Sequence, residues 1–446
     1  MFTDRYGNPV STSSRAALDR YDEALLLIRL YRGDPIAALD AALDGDPDFT
    51  MAWAARAAVL VQQCDKAYSE EIARSLRAGW ASGGNAQERA HLAAAQDWGE
   101  GRLDSGILRF ARIAQEHPRD LPALQAAHVG CFFVGRASEL RDWPLQALRA
   151  FGRSDDGYHA LLGMAAFGLE ECGDYPRAEA LGREAVELDP RDGWAVHAVA
   201  HVHEMRGDTE RGMSWLRDNG EALSPECGFS YHNWWHLALL HLDRDDHEAA
   251  LRLYDSRIRP DANAAILLEW IDASALLWRL HLDGVDTGDR FARLAACWER
   301  AVEDGIYAFN DLHALMAFIG AGRFADAERT IAALRRAAAG EGDNGYMARA
   351  VGLPLAEAFL AFANGQHAAA ADGILAVRGI AQRFGGSHAQ RDVLTLTAFH
   401  AARRAGMVDV ATALAAERVT HKPASPWANR LTGDVAESKR KQVVAA

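Results

Sequence analysis

The feature that most constrains the fold is a pair of helical patterns joined by a tight turn at residues 159–190. The segment reads HALLGMAAFGLEECGDYPRAEALGREAVELDP. Its apolar residues recur every three to four positions, which predicts two amphipathic helices. The Gly173-Asp174 turn should end the first helix, and Pro190 the second. Small residues would let the two helices approach closely, and these are Ala166, Ala178 and Ala185.

Weaker copies of this helical hairpin recur along the chain. Each copy has a polar turn, often with glycine, followed by a small residue inside the second helix. Such a unit buries its apolar face only against its neighbours, so a row of units forms a solenoid. The copies lie at 30–43, 203–216, 241–255, 319–334, 362–375 and 402–414.

The hairpin at 159–190 resembles the 34-residue tetratricopeptide repeat. Long alternating runs of β-branched residues, which would indicate strands, are absent from the sequence. We therefore predict an all-α fold, a right-handed α-solenoid of tetratricopeptide-like helical hairpins. The repeats are clearest at 159–256 and 307–415, and degenerate at 52–150.

The predicted domain organisation is a single superhelix. It should occupy residues 21–420, between an N-terminal extension at 1–20 and a C-terminal tail at 421–446. The chain of 446 residues is too long for one ordinary compact core, which suits an extended repeat array.

Composition narrows the classes of function. The formal net charge of −14 argues against general binding of nucleic acid or anionic lipid. The most apolar stretch, 264–280, carries three charged residues, so we expect a buried helix and no membrane span. We see no secretory signal, and the five cysteines form no C-x-x-C motif, so we expect a cytoplasmic protein. The oligomeric state stays unknown.

Histidines concentrate in two short segments, HAVAHVHE and HNWWH, which hold five of the 17 in the chain. His197 and His201 are four residues apart, as are His232 and His236, so each pair should share one face of its helix. The two pairs are about one repeat apart in sequence. They should therefore lie on neighbouring helices.

The histidine segments resemble the tetratricopeptide repeat protein 38 family, over most of the chain from about residue 20 to residue 420. The resemblance implies an all-helical repeat fold and brings no established reaction or substrate. His203 departs from the pattern of this family, because many relatives are expected to carry an apolar residue at that position. The segments that carry the resemblance are WAVHAVAHVHEMRG (194–207), HNWWHLALLHL (232–242), NDLHALMAF (310–318) and GGSHAQRDV (385–393).

In tetratricopeptide repeats the first helix of each hairpin lines the concave surface. By that resemblance Trp194, His197, His201 and Glu204 should face the groove, with Glu170 of the preceding repeat close to Glu204. Neighbouring helices pack about 8–10 Å apart, so the imidazoles of successive repeats should converge on one patch.

A metal site is one interpretation of this patch. Two histidine pairs at i, i+4 offer nitrogen ligands to a divalent transition metal such as zinc, iron or manganese. The candidate ligands are His197, His201, His232 and His236. The motif is not H-E-x-x-H, so the mechanism of zinc proteases does not carry over.

Metal-free acid–base chemistry, such as hydrolysis, is a second interpretation. His201 with Glu204 or Glu170 would handle the proton. The ligand would be a small polar or anionic molecule, and Arg391 would grip its carboxylate or phosphate. The candidate binding residues are Trp194, His197, His232, Trp234, His236, Asp311, His313, His388, Arg391 and Asp392.

A non-catalytic scaffold that holds a peptide or protein partner in the same groove is the third interpretation. No motif of a named enzyme class occurs, such as G-x-S-x-G or a P-loop, so the sequence leaves open whether the protein is an enzyme.

Overall fold

The structure, a computed structural model, describes residues 2–261 and 264–445. For residues 437–445 it describes the backbone alone. α-Helices follow one another along almost all of this part of the chain. The predicted all-α fold is therefore confirmed. The exception among the described residues is a short antiparallel pair, β1 (Phe2–Thr3) with β2 (Pro9–Val10).

The chain divides into two compact units. Unit 1 comprises the residues up to 199 together with 219–230, and unit 2 comprises 200–218 together with the residues from 231 onward.

Unit 1 is built from helices that follow one another closely along the chain. Each helix packs mainly on its neighbours in sequence, as in tetratricopeptide-like hairpins. The helices are α1 (Arg15–Leu30), α2 (Pro35–Gly45), α3 (Thr50–Val61), α4 (Ser69–Ser82), α5 (Ala86–Gly99), α6 (Leu103–Glu116), α7 (Leu121–Val134), α8 (Ala137–Ala147), α9 (Tyr158–Glu171) and α10 (Tyr175–Leu188).

The hairpin predicted at 159–190 is the pair α9 and α10, with its turn at Gly173 as expected. The predicted contact residues Ala166, Ala178 and Ala185 are fully buried. Gly168 explains how closely α9 approaches α8, because a Cβ there would lie 2.3 Å from the backbone of Leu140.

Helix α11 (Gly193–Arg206) runs from unit 1 into unit 2. Every residue from 194 to 205 is buried, His203 included. The prediction placed one stripe of this helix on the concave groove, and that placement stays a prediction. Apolar residues such as Val196 and Val199 are buried on its other faces.

Unit 2 continues the hairpin pattern. Its helices after α11 are α12 (Thr209–Asp218), α13 (Ser230–Asp243), α14 (His247–Leu253), α15 (Leu267–Leu282), α16 (Arg290–Trp298), α17 (Ala308–Gly320), α18 (Phe324–Ala338), α19 (Asp343–Met347), α20 (Leu353–Ala363), α21 (His367–Val377), α22 (His388–Arg404), α23 (Val408–His421) and α24 (Pro426–Ala445).

Residues 426–445 are helical, within the segment that was predicted to be a C-terminal tail. Ser425 caps α24, its Oγ accepting the Ala428 N–H at 3.0 Å. Trp427 and Leu431 are buried, and α24 packs against α23.

One helical stretch, Asp343–Ala363, is long and apolar enough to cross a membrane by length and composition alone. Half of its most apolar window is buried inside the protein, as in core helices that pass the same test.

Candidate functional site

Three histidines of unit 2 form one buried cluster. His201 comes from α11, and His232 and His236 from successive turns of α13. The ring centroids of His201 and His236 are 4.4 Å apart, and the Nε2 atoms of His232 and His236 are 3.3 Å apart. The exposed fractions of the three residues are 0%, 7% and 0%. The predicted convergence of helices α11 and α13 thus brings these rings into contact.

Two of the rings are fixed by carboxylates on their other nitrogen. The Nδ1 atom of His232 lies 2.6 Å from Asp272 Oδ2, and that of His236 lies 2.7 Å from Glu204 Oε2. A carboxylate only accepts hydrogen bonds, so each Nδ1 donates its N–H. In the neutral rings each Nε2 then carries a lone pair, and these are the two atoms that lie 3.3 Å apart.

The environment disfavours a proton on His236. Burial lowers its pKa well below the usual range, and charge on His201 or His232 would lower it further. His236 is therefore neutral near pH 7.

Aromatic rings enclose the cluster on one side. Trp235 is fully buried, stacks on His232 at a centroid distance of 5.2 Å, and meets His236 edge-on at 4.9 Å. Trp234 is only half-buried and lies under the guanidinium of Arg257 at 5.0 Å. The two tryptophans differ because a helix turns about 100° per residue, which sends their side chains to different faces.

A line of charges continues from the cluster. Glu204 Oε1 is 3.6 Å from Lys422 Nζ, which is 3.9 Å from Asp392 Oδ2. Asp392 also forms a short ion pair with Arg418. Burial would raise the pKa of Asp392, but Arg418 and Lys422 outweigh it and hold that pKa well below its usual range. The line connects α11 with α22 and with residues at the end of α23.

A cavity of about 20 Å³ lies among these charges. Its lining includes Glu204, Asp243, Arg279, Asp392 and Lys422. A space of this size holds one water molecule, and its polar walls suit one.

Arg279 is a buried cation of this region. It donates to the carbonyl oxygens of Ala275 at 2.9 Å and Ala389 at 2.8 Å, and lies 5.5 Å from the centre of the Trp235 ring. Arg279, Asp272 and Lys422 were not predicted as site residues. The signal for the first two was their position inside the apolar stretch 264–280, since a charge in a buried helix needs a partner.

Three predicted residues belong to unit 1. The His197 ring packs against Phe167 at 5.3 Å and Phe229 at 5.0 Å. Trp194 stacks on Tyr31 at 5.5 Å, and Glu170 is buried in the last turn of α9. The roles predicted for these residues as ligand, binding wall and proton acceptor stay predictions.

Asp311 and His313 are buried in α17. His313 Nδ1 donates to the Phe309 carbonyl oxygen at 2.7 Å, and burial lowers the pKa of this ring to about 4. Burial and the charge of Asp304 raise the pKa of Asp311 to about 8.

The GGSHAQRD segment begins α22 with a capping box. Ser387 Oγ accepts the Gln390 N–H at 3.2 Å, and Gln390 Oε1 accepts the Ser387 N–H at 3.0 Å. His388 and Arg391 are half-buried in the first turn, where Arg391 donates to the Gly386 carbonyl oxygen. Of the three predicted binding residues His388, Arg391 and Asp392, we find Asp392 in the line of charges, 3.9 Å from Lys422 Nζ.

Comparison with models of known protein families finds no match. Among solved structures, the chain is similar to yeast Tom70, with 12% identity, a TM-score of 0.35, and coverage of 96% of this chain and 97% of that one. It is also similar to the TPR (tetratricopeptide repeat) domain of P58(IPK), with 13% identity, a TM-score of 0.21, and coverage of 96% and 99%. At these TM-scores neither likeness bears on function.

Proposed function

We propose that this chain is a helical-repeat scaffold that binds an acidic segment of a protein or peptide partner. The observation that supports the proposal is a surface pocket of about 410 Å³ in unit 2, whose charged lining residues are three arginines and two aspartates: Arg259, Arg290, Arg293, Asp255 and Asp289. The chain has a net charge of −14, and in this recess guanidinium groups outnumber carboxylates, so an acidic partner meets less repulsion there than on an acidic surface.

The pocket has an apolar floor and a charged rim. Tyr254 and Leu294 are buried at its base. Arg290 is held by Asp255, with nitrogen–oxygen distances of 2.9 and 2.6 Å. Arg293 is half-exposed, and its distances to Asp289 and Asp255 are 3.3 and 3.9 Å. Exposed ion pairs of this kind contribute little, so Arg293 is the group that can turn to a partner carboxylate.

The proposal is tested with two labelled ten-residue peptides, one rich in glutamate and one rich in lysine, by fluorescence anisotropy at low and high salt. We expect the glutamate peptide alone to bind, with an affinity that falls as salt rises. Arg293→Glu should weaken this binding at least roughly tenfold, or about 1.4 kcal/mol. Arg112→Glu, at an exposed position of α6, is the matched control and should bind as the natural protein does.

Equal binding of both peptides, or undiminished binding by Arg293→Glu, contradicts the proposal. Circular dichroism of each variant shows whether a loss of binding reflects unfolding.

Acid–base chemistry on a small anionic molecule is the second candidate. It is supported by the His236–Glu204 pair, with Lys422 3.6 Å from the second Glu204 oxygen as a nearby positive charge. A thermal-shift screen of small carboxylates and phosphates tests it with the natural protein and His201→Ala. A compound that stabilises only the natural protein supports this function.

We also propose that the chain is a cytoplasmic member of the tetratricopeptide repeat protein 38 family. The histidine segments support the family, and five cysteines without a disulfide are consistent with a reducing compartment.

A further inference from the structure

We propose that His201, His232 and His236 bind one divalent transition-metal ion, of which Zn²⁺ is the representative. The proposal is independent of the partner pocket, because it uses different residues and predicts metal binding by the protein alone.

The spacing of the ring nitrogens is the first support. Two nitrogen ligands about 2.0–2.1 Å from a tetrahedral zinc ion are roughly 3.3–3.4 Å apart. The Nε2 atoms of His232 and His236 are 3.3 Å apart. One ligand atom from each of His201, His232 and His236 lies within 4.8 Å of the others. The rings are thus spaced as ligands to one ion.

The tautomers are the second support. Asp272 and Glu204 accept from the Nδ1 atoms, which turns the two Nε2 atoms toward each other. At 3.3 Å the two Nε2 atoms are joined either by a shared proton or by a metal ion between them, and the proposal assigns the metal ion. Carboxylates behind histidine ligands orient the rings in known metal sites in this way.

Carboxylate–histidine pairs alone do not indicate a metal. His159 Nδ1 lies 2.7 Å from Asp192 Oδ2 in unit 1, and His91 Nε2 lies 2.8 Å from Asp120 Oδ2. The cluster of unit 2 differs because the Nε2 atoms of two such pairs lie 3.3 Å from each other, with the His201 ring alongside.

Charge and ligand chemistry are the third support. A doubly charged ion in a buried site needs compensating negative charge, and Glu204 and Asp272 supply two carboxylates one ring away. Imidazole nitrogens favour zinc, copper, nickel or iron over calcium and magnesium, which prefer oxygen ligands.

The test uses the full chain after chelator treatment. Co²⁺ is titrated in and its visible absorption recorded, and Zn²⁺ is then added to displace it. We expect one equivalent of Co²⁺ with the strong absorption of a tetrahedral site, and complete displacement by Zn²⁺. His236→Gln should abolish the spectrum, whereas His159→Gln, which changes a buried carboxylate-paired histidine outside the cluster, should leave it unchanged.

A second variant guards against misfolding. Asp272→Asn keeps all three rings and should weaken Zn²⁺ binding about 10–100-fold with unchanged helical circular dichroism. The proposal is overturned if the folded natural protein binds fewer than about 0.1 equivalents of Co²⁺ and of Zn²⁺. It is also overturned if the folded variants His232→Gln and His236→Gln bind Zn²⁺ as tightly as the natural protein does. A proton shared between the two Nε2 atoms, found by NMR in Zn²⁺-saturated protein, would overturn it as well.

Discussion

Glu204 contacts His236 through one carboxylate oxygen, 2.7 Å from Nδ1, and faces Lys422 through the other, 3.6 Å from Nζ. One buried carboxylate thus connects the histidine cluster to the line of charges.

Replacing Glu204 by glutamine should destabilise the protein. The variant keeps an amide oxygen that can accept from His236, but it loses the negative charge that strengthens this hydrogen bond and balances Lys422, which should lower the free energy of unfolding by roughly 1–3 kcal/mol. Urea denaturation followed by circular dichroism measures this. Glu210→Gln, at an exposed position of α12, should change stability by less than about 0.5 kcal/mol. Equal effects of the two substitutions would mean that Glu204 has no special role.

Asp311 should make the protein less stable as pH rises. Its pKa in the folded state is about 8, whereas an unfolded aspartate has a pKa of about 3.9. Between these values the folded state holds a proton that the unfolded state has released, so stability falls with rising pH by up to about 1.4 kcal/mol per unit. Asp311→Asn should remove this slope in denaturation measured from pH 4 to 8. Asp372→Asn, on the exposed face of α21, should retain it.

His128 should make the protein less stable as the pH falls below about 6.5. Burial lowers its pKa in the folded state to about 3, below the unfolded value of about 6.5. From pH 6.5 down to 3 the unfolded state binds a proton that the folded state does not, so stability is lost as pH falls. His128→Phe, beside Phe167 and Trp194, should flatten this part of the stability curve by up to about 1.4 kcal/mol per pH unit. The control is His117→Phe, at an exposed position. If the free energy of unfolding of His128→Phe falls as steeply with falling pH as that of the control, His128 is not the source of the acid dependence.

Gly168→Ala should be strongly destabilising. The added Cβ would lie 2.3 Å from the backbone of Leu140, which cannot move aside as a flexible side chain would. We expect a loss of about 1–3 kcal/mol or more in the free energy of unfolding, measured in urea. Gly433→Ala in α24 is the matched helical control, because nothing lies within 4 Å of its added Cβ. A neutral Gly168→Ala would mean that α8 and α9 pack less closely than described.

The fold was predictable because its signals are local. The apolar period and the Gly173 turn lie inside one hairpin, and the hairpin α9–α10 forms where they predicted it. The spacing of four residues between His232 and His236 likewise sufficed to place the two rings together.

The partners of the cluster were not predictable in the same way. Asp272 is 40 residues from His232, and Lys422 is farther still from Glu204. Neither separation is a multiple of the repeat, so no periodic pattern indicates the contact. Burial of α11 on all sides also escaped prediction, since the sequence does not reveal which neighbours cover its second face.

The line from Glu204 to Lys422 has a consequence for synthesis. When residue 236 has been added to the growing chain, all three imidazoles of the histidine cluster have been made. Lys422, the cation beside Glu204, lies most of the length of unit 2 farther along the chain. The cluster can reach its final electrostatic state only when the chain is nearly finished, so nascent chains halted before α23 should differ there from the completed protein.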